Sequence, residues 1–201
     1  MIKQLLAVGL AALALLGSGC VFSRNDYVEN AEFDLELPRP VPGRKVRIGV
    51  FRNLSGSDRR VLVRRGDGQV VPLEYQRWRL SPELLLQRCI YGAFEVAPEN
   101  AEEVSRLNAT VYRFEFDERD NKAHLAVDFM IPDFRTPTSA APPEKRSAKD
   151  SHPLTVRADV AVPVKDSADL GAARAAAMSE CARLAVEKLD SAMNDKRDGA
   201  K

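Results

Sequence analysis

Two neighbouring segments of the sequence alternate apolar and polar residues along their whole length, and this pattern most limits the folds open to the chain. In the first, residues 109–118, we expect one face to carry Tyr112, Phe114 and Phe116 and the other to carry Val111, Arg113 and Glu115. In the second, residues 123–134, one face carries Leu125, Val127, Phe129 and Ile131. A polar turn at 119–122 joins the segments, so we predict two strands with one face on the core.

Weaker patterns on both sides of this pair add further strands and helices. Alternation predicts strands at 45–51 and 154–164, a hairpin at 60–75 around two glycines, and a short strand at 94–96. A helix is predicted from Ser81, with an apolar stripe formed by Leu85, Leu86, Cys89, Ile90 and Ala93. A brief acidic helix is predicted at 98–107. A long final helix, capped by Ser167, is expected to bury Leu170, Ala173, Ala177, Cys181, Leu184, Ala185 and Leu189.

The first nineteen residues have the order of a secretory signal peptide. Lys3 supplies the positive charge, residues 5–16 are apolar, and small residues at 17–19 precede Cys20. The apolar run is too short to span a bilayer. A cysteine after small residues resembles the bacterial lipobox, whose thiol is acylated with chains such as palmitate. We therefore predict lipidation at Cys20, the alternatives being an ordinary cleaved export signal and a lone membrane anchor.

Composition divides the remaining chain into a tether, one domain and a tail. Removal of the signal leaves 182 residues, which is enough for one domain with a core. Three prolines in LPRPVPG indicate a flexible tether, although Phe33, Leu35 and Leu37 alternate with acids and suit a short docked strand. We predict a signal peptide at 1–19, a lipidated tether at 20–42, a domain at 43–193 with a mobile Pro/Ser/Ala-rich loop at 136–153, and a disordered tail at 194–201.

Two cysteines remain in the predicted domain, and both fall on apolar faces of predicted helices. An exported chain meets oxidising conditions, so Cys89 and Cys181 are candidates for a disulfide. The other interpretation treats each as a small buried apolar residue. The pattern leaves both open.

Charge is balanced overall but uneven along the chain. The chain has 30 basic and 29 acidic residues, and the signal removes only Lys3, so the mature balance is neutral. Such a balance does not suit nucleic acid binding. Between residues 39 and 65, however, nine basic residues accompany one acid, Asp58. The alternatives are a solvated strand face and a patch for a partner or for lipid headgroups, formed by Arg44, Lys45, Arg47, Arg52, Arg59, Arg60, Arg64 and Arg65.

Residues suited to catalysis or metal binding are sparse. His124 and His152 do not stand at metal-ligand spacing from a cysteine or carboxylate, so no metal site is predicted. Asp117 and Asp120 flank a turn, where aspartate is common. No phosphate-binding glycine loop and no G-x-S-x-G motif occurs in the predicted domain. These patterns favour a protein that is not an enzyme.

The stretch before the first helix carries the most specific motif, Tyr75, Arg77 and Trp78 in the order Y-x-R-W. We expect Trp78 to close the core over the helix start, the alternative being an exposed contact. With the Leu-rich helix, the alternating pair and the closing helix, this motif resembles the ABC-type transport auxiliary lipoprotein family (PqiC/YmbA-like) over residues 33–193. The resemblance implies an α/β domain with a mixed sheet packed by helices, in an arrangement similar to the anticodon-binding domain.

The same resemblance implies a non-catalytic accessory role without a cofactor. Such lipoproteins work with MCE-domain and ABC-transporter components that move lipid or other hydrophobic molecules, often as homo-oligomers. Val21 stands where lipoproteins of the inner membrane often carry Asp, so the expected location is the outer membrane, facing the periplasm. The alternative function is a general envelope lipoprotein that binds peptidoglycan or another assembly machine.

Overall fold

An eight-stranded sheet organises the chain in the computed structural model, which describes residues 29–101, 104–134 and 152–198. The strands are β1 (Ala31–Phe33), β2 (Lys45–Asn53), β3 (Arg60–Arg64), β4 (Val70–Trp78), β5 (Glu95–Ala97), β6 (Arg106–Asp117), β7 (Lys122–Phe134) and β8 (His152–Pro163). The helices are α1 (Pro82–Ala93) and α2 (Leu170–Asp198). Within the residues that the structure describes, neither helix is long and apolar enough to cross a membrane.

Strand β6 is the centre of the sheet because it pairs with three other strands. It runs antiparallel to β7 along nearly its whole length, and β7 in turn pairs with β8. On its other side, β6 is parallel to β2 near its start, where Arg47 faces Arg106, and parallel to β3 at its end, where Val63 faces Phe116. Strand β5 extends β2, and β4 and β1 extend β3. The sheet is therefore mixed, as expected, and it is also curled.

One face of this sheet and both helices share a single apolar core. The expected inward residues of β7, which are Leu125, Val127, Phe129 and Ile131, are all buried. So is the stripe of α1, from Leu85 to Ala93, and most of the stripe of α2. These patterns are confirmed because periods of 2 and about 3.6 residues place each set on one side of its element.

The facing of β6 differs from the prediction over its middle residues. A bulge in the pairing with β7 falls between Val111 and Arg113. Val111 is therefore buried, whereas Tyr112 is 45% exposed, and Phe114 and Phe116 return to the core. The extra residue at a bulge exchanges the two faces for all residues of the strand that precede it, and a strictly alternating pattern does not predict this exchange.

The predicted tether at 20–42 is wrong from Ala31 onward, because this part belongs to the domain. Strand β1 pairs with β4 and places Phe33 beside Trp78. Leu35 is buried, and the backbone N–H of Val41 donates to the carbonyl of Ala93 at 2.7 Å. A short docked strand is therefore present, but it ends at Phe33, so of the three predicted residues only Phe33 lies in it; Leu35 is buried beyond its end and Leu37 is exposed. Cys20 lies outside the described residues.

Two further predictions fail at the ends of α2. The helix runs to Asp198, so residues 194–198 are not a disordered tail. On the last turns of this helix, Asp190 and Asn194 both accept hydrogen bonds from the guanidinium of Arg44. At its start the carboxylate of Asp169, and not Ser167, accepts the N–H of Ala172 at 2.9 Å, and Leu170 is exposed.

The acidic helix predicted at 98–107 is also wrong in the part that the structure describes. Residues 98–101 form a turn, closed by Ala101 N–H on the carbonyl of Pro98, and β6 already begins at Arg106. The segment lacks an apolar stripe that would stabilise a helix against the core. The loop predicted at 136–153 lies outside the described residues up to 151, and the prediction is wrong for residues 152 and 153, which belong to β8.

Trp78 is the largest fully buried side chain, at 1% exposed, which confirms the core interpretation. Its ring contacts Phe33, Phe114 and Phe116, with centroid separations of 6.4, 5.1 and 6.2 Å. We expect Trp78→Ala to lower the free energy of unfolding by about 3–5 kcal/mol, measured by urea titration. Tyr75→Ala, in the same strand but at an exposed position, should change it by less than about 1 kcal/mol. Equal effects of the two substitutions would contradict this packing.

Candidate binding site

A basic depression lies where β3, β4 and β1 come together. It encloses about 370 Å³ and is lined by Asp58, Arg59, Arg60 and Arg77, which we call the arginine groove. Arg60 of β3 pairs with Arg77 of β4 in the antiparallel ladder, and Arg77 also pairs with Glu32 of β1 in the parallel ladder. The groove thus combines two arginines of the predicted patch with the arginine of the Y-x-R-W motif.

A tight turn before β3 positions the two arginines. The carboxylate of Asp58 accepts the backbone N–H groups of Arg59 and Arg60 at 2.6 and 3.0 Å. These two bonds hold the pKa of Asp58 down at about 2, so its charge is fixed at neutral pH. The buried hydroxyl of Ser57 donates to the carbonyl of Arg60 at 2.7 Å and closes the turn.

The three guanidinium groups of the groove differ in how firmly they are held. Arg59 donates to the carbonyl of Trp78 at 3.1 Å and to Glu32 at 3.0 Å. Arg60 reaches Asp58 at 3.3 Å, and Arg77 is exposed. Arginine forks match the geometry of phosphate and carboxylate oxygens, so a groove of this kind suits an anionic ligand.

The other residues of the predicted patch do not join this groove. Arg44 pairs with Asp190 of α2, Lys45 with Glu95, and the buried Arg47 donates to the carbonyl of Glu99. Two more, Arg52 and Arg65, are exposed at separate places. Of the two alternatives for this basic run, a single continuous patch does not form, because acids distant in sequence pair with several of its members.

A second charged group, which the sequence analysis missed, lies at the β3–β6–β7 junction. Glu115 and Asp117 are each only 4% exposed and lie among three arginines. We call Arg64, Arg113, Glu115, Asp117 and Arg119 the ion cluster. The shortest contacts join Arg113 and Arg64 to Glu115 at 2.7 and 2.8 Å, and Arg119 to Asp117 at 2.6 Å. The alternation in RFEFDER, residues 113–119, places Glu115 and Asp117 on one face and was the sequence signal for this cluster. Their partner Arg64 belongs to β3, which is distant in sequence, so the pairing itself was not predicted.

His124 borders the ion cluster, contrary to the expectation that it stands apart from carboxylates. Its Nδ1 is 3.1 Å from an N–H of Arg113, so Nδ1 accepts and Nε2–H faces Asp120 at 3.1 Å. Donor atoms of Asp117, Asp120 and His124 lie within 4.8 Å of one another and could hold a cation. Arg119 and Arg113 already occupy Asp117, however, and their charge opposes a metal ion there.

A second depression, of about 580 Å³, separates the proline-rich segment from α2. Residues 38–42 line one wall, and Arg183, Val186, Glu187 and Asp190 line the other. Arg183 is held by Glu180 at 2.6 Å and by Glu187, so its charge is already compensated. The second depression also carries one exposed basic residue, Arg39, on its proline-rich wall. The arginine groove differs because it brings three guanidinium groups together, and Arg77 among them is exposed.

The two cysteines are both free and buried, so the disulfide interpretation is wrong and the packing interpretation is confirmed. The Sγ of Cys181 on α2 donates to the carbonyl of Ala123 on β7 at 3.3 Å. Cys89 lies within the apolar stripe of α1. Each thiol therefore acts as a small core side chain on its own helix.

Comparison with known proteins establishes the fold but no activity. No protein-family model and no curated protein matches the sequence. The crystal structure of an uncharacterized protein is similar at a TM-score of 0.53 and 15% identity, over 83% of this chain and 98% of that chain. The crystal structure of protein XCC0632 from Xanthomonas campestris, of the DUF330 family, is also similar. Its TM-score is 0.53 and its sequence identity 16%, over 85% of this chain and 99% of that chain. At these identities the similarity concerns the fold alone.

Because of the ion cluster, the free energy of unfolding should depend on pH in the acid range. The guanidinium of Arg119 holds the pKa of Asp117 well below its usual range, so this carboxylate stabilises the fold above about pH 4 and loses that effect as the pH falls. We expect unfolding titrations between pH 7 and 2 to show a shallower loss of stability for Asp117→Asn than for the wild type. The exposed Asp166→Asn is the control and should follow the wild type. Parallel curves for all three would contradict the role of Asp117.

The buried thiols should be unreactive in the folded chain. Burial raises the pKa of both Cys89 and Cys181 to about 12, which leaves almost no thiolate at pH 8. In the full chain carrying Cys20→Ser, we expect Ellman's reagent to detect no thiol under native conditions and two after unfolding in guanidinium without reductant. Fewer than two after unfolding would restore the disulfide interpretation.

Proposed function

We propose that this chain is a non-catalytic outer-membrane lipoprotein that faces the periplasm and serves as an accessory component of an ABC/MCE-type transport system for lipids or other hydrophobic molecules. Its N-terminal sequence supports a signal peptide and acylation at Cys20. The Y-x-R-W stretch supports the family resemblance, and the mixed sheet packed by helices is compatible with the anticodon-binding-like arrangement that this resemblance implies.

The observation that carries the proposal is the position of β1 relative to the arginine groove. Ten residues separate Cys20 from Ala31, where β1 begins. Even fully extended, this stretch spans at most about 40 Å. Acylation of Cys20 would therefore hold the β1 side of the domain near the lipid headgroups.

The arginine groove lies on that same side of the domain. Glu32 of β1 bonds Arg59, and β1 lies beside Arg77 in the sheet. Near an anionic leaflet each basic side chain adds about 1 kcal/mol of attraction. The groove thus suits contact with phosphate-bearing headgroups, or with an acidic partner held at the membrane surface.

The ion cluster supports a role that is not catalytic. Its two carboxylates each accept from more than one arginine, and the arginines come from β3, β6 and the β6–β7 turn. Such an interlocked arrangement ties strands together, and the lowered pKa of Asp117 keeps this carboxylate ionised at neutral pH instead of ready to exchange a proton. A tethered binding domain is the function that this arrangement supports best.

Cross-linking in intact cells tests the proposal. A tagged full-length chain is cross-linked, purified from membranes, and its partners are identified by mass spectrometry. We expect an MCE-domain or ABC-transporter subunit, because the proposed role places the domain against such a component. The Cys20→Ser chain should lose this partner while its domain still folds, as measured by circular dichroism.

Two results would contradict the proposal. Repeated recovery of neither subunit class would remove the transport assignment. Recovery of cell-wall material together with co-sedimentation of the chain with purified sacculi would favour the general envelope role instead.

A further inference from the structure

Strand β8 presents a long edge to its surroundings. Its twelve residues pair with β7 from Lys122 to Phe134, and among the described residues β8 has no second neighbour. The other outer strands, β1 and β5, have only three residues each. An open edge exposes a row of backbone N–H and C=O groups that can pair with another strand.

The side chains of β8 are divided cleanly between the two faces of the sheet. Those on the core face are Leu154, Val156, Ala158, Val160 and Val162. Those on the outer face are Thr155, Arg157, Asp159 and Ala161. Val160 and Val162 are only partly buried although they belong to the core face, so covering this edge would remove more apolar surface from water.

We propose that the β8 edge binds β8 of a second copy of this chain in an antiparallel pair centred on Ala158. In this register Arg157 lies opposite Asp159 of the second copy, and the same pair recurs by symmetry. On the core face Val156 lies opposite Val160 of the second copy, and Leu154 opposite Val162. The two sheets become continuous, with the helices of both copies on one side.

Symmetry and charge select this register over its neighbours. Two antiparallel edge strands related by a two-fold axis perpendicular to the sheet keep their core faces on the same side, so opposed residues must share a face. Centring the pair on Arg157 would place Arg157 against itself, and centring it on Asp159 would place two aspartates together. Only the register centred on Ala158 opposes unlike charges at both positions, and like charges directly opposite are unfavourable.

Neither charge is strongly engaged within its own chain. Arg157 is 71% exposed, and its nearest acid is Asp128 at 3.9 Å. Asp159 faces Ala126 of β7, which offers no charge. Charged residues on an edge normally discourage pairing with another chain. Here the two charges are spaced so that they complement those of an identical strand, which favours a second copy over a partner with another sequence.

Charge exchange tests the pairing in the full-length, lipidated chain. In detergent solution, sedimentation velocity should give the mass of two chains for the wild type. Arg157→Asp and Asp159→Arg should each weaken the dimer at least tenfold, because each places like charges opposite at two symmetric positions. The double exchange Arg157→Asp with Asp159→Arg should restore the dimer.

The matched control is Lys45→Glu, which makes the same change in charge at an exposed pair far from β8 in the strand order and should leave the mass unchanged. Circular dichroism verifies that every variant is folded. A single-chain mass for the wild type overturns the proposal. So does an oligomer that the single exchanges do not weaken, or one that the double exchange fails to restore.

A disulfide tests the register directly. Thr155 lies opposite Ala161 of the second copy, whereas the two positions of one chain are six residues apart on a strand, about 20 Å. Thr155→Cys combined with Ala161→Cys should therefore yield a covalent dimer on oxidation, and either substitution alone should not. A covalent dimer from the single variants, or none from the double variant, excludes this register.

Discussion

The burial of Trp78 is the interaction on which the rest of the structure depends. Its ring packs against Phe33 of β1 and against Phe114 and Phe116 of β6, so that one side chain joins the edge of the sheet to its central strand. Its backbone binds the turn before β3 from both sides: its N–H donates to the carbonyl of Arg59, and its carbonyl accepts from the guanidinium of the same residue. Packing of the core and the shape of the arginine groove are therefore set by one residue.

The end of β6 is buried on both faces, but by different kinds of interaction. Phe114 and Phe116 face the apolar core, while Glu115 and Asp117 face the ion cluster. Buried carboxylates are unfavourable unless they are paired, and here three arginines supply the pairing. Because Arg64 belongs to β3, the cluster also fixes the short parallel contact between β3 and β6. Only two residue pairs form that contact, and the charges reinforce it.

Periodicity was enough to predict most elements of the fold, although not the turn at 98–101, and it did not predict the partners of the charged residues. The stripes of α1 and β7 follow from local spacing, and burial confirms them. The bulge after Val111 adds one residue without a local signal, which reversed the expected facing of Tyr112. The basic run at 39–65 looked continuous because its acids, such as Asp190 and Glu115, lie far away in sequence. The docking of β1 was hidden for the same reason, since its pairing depends on β4 and Trp78.

The two proposed surfaces lie at opposite ends of the sheet and are compatible for that reason. The strand order places β1 and the arginine groove at one end and β8 at the other, with β4, β3, β6 and β7 between them. Pairing through β8 would thus leave both grooves and both N-terminal segments free. Two acylated cysteines in one assembly would also bind the membrane more persistently than one, because release of either anchor leaves the other to return it. A dimer of this kind would strengthen membrane attachment without covering the groove that we propose faces the headgroups.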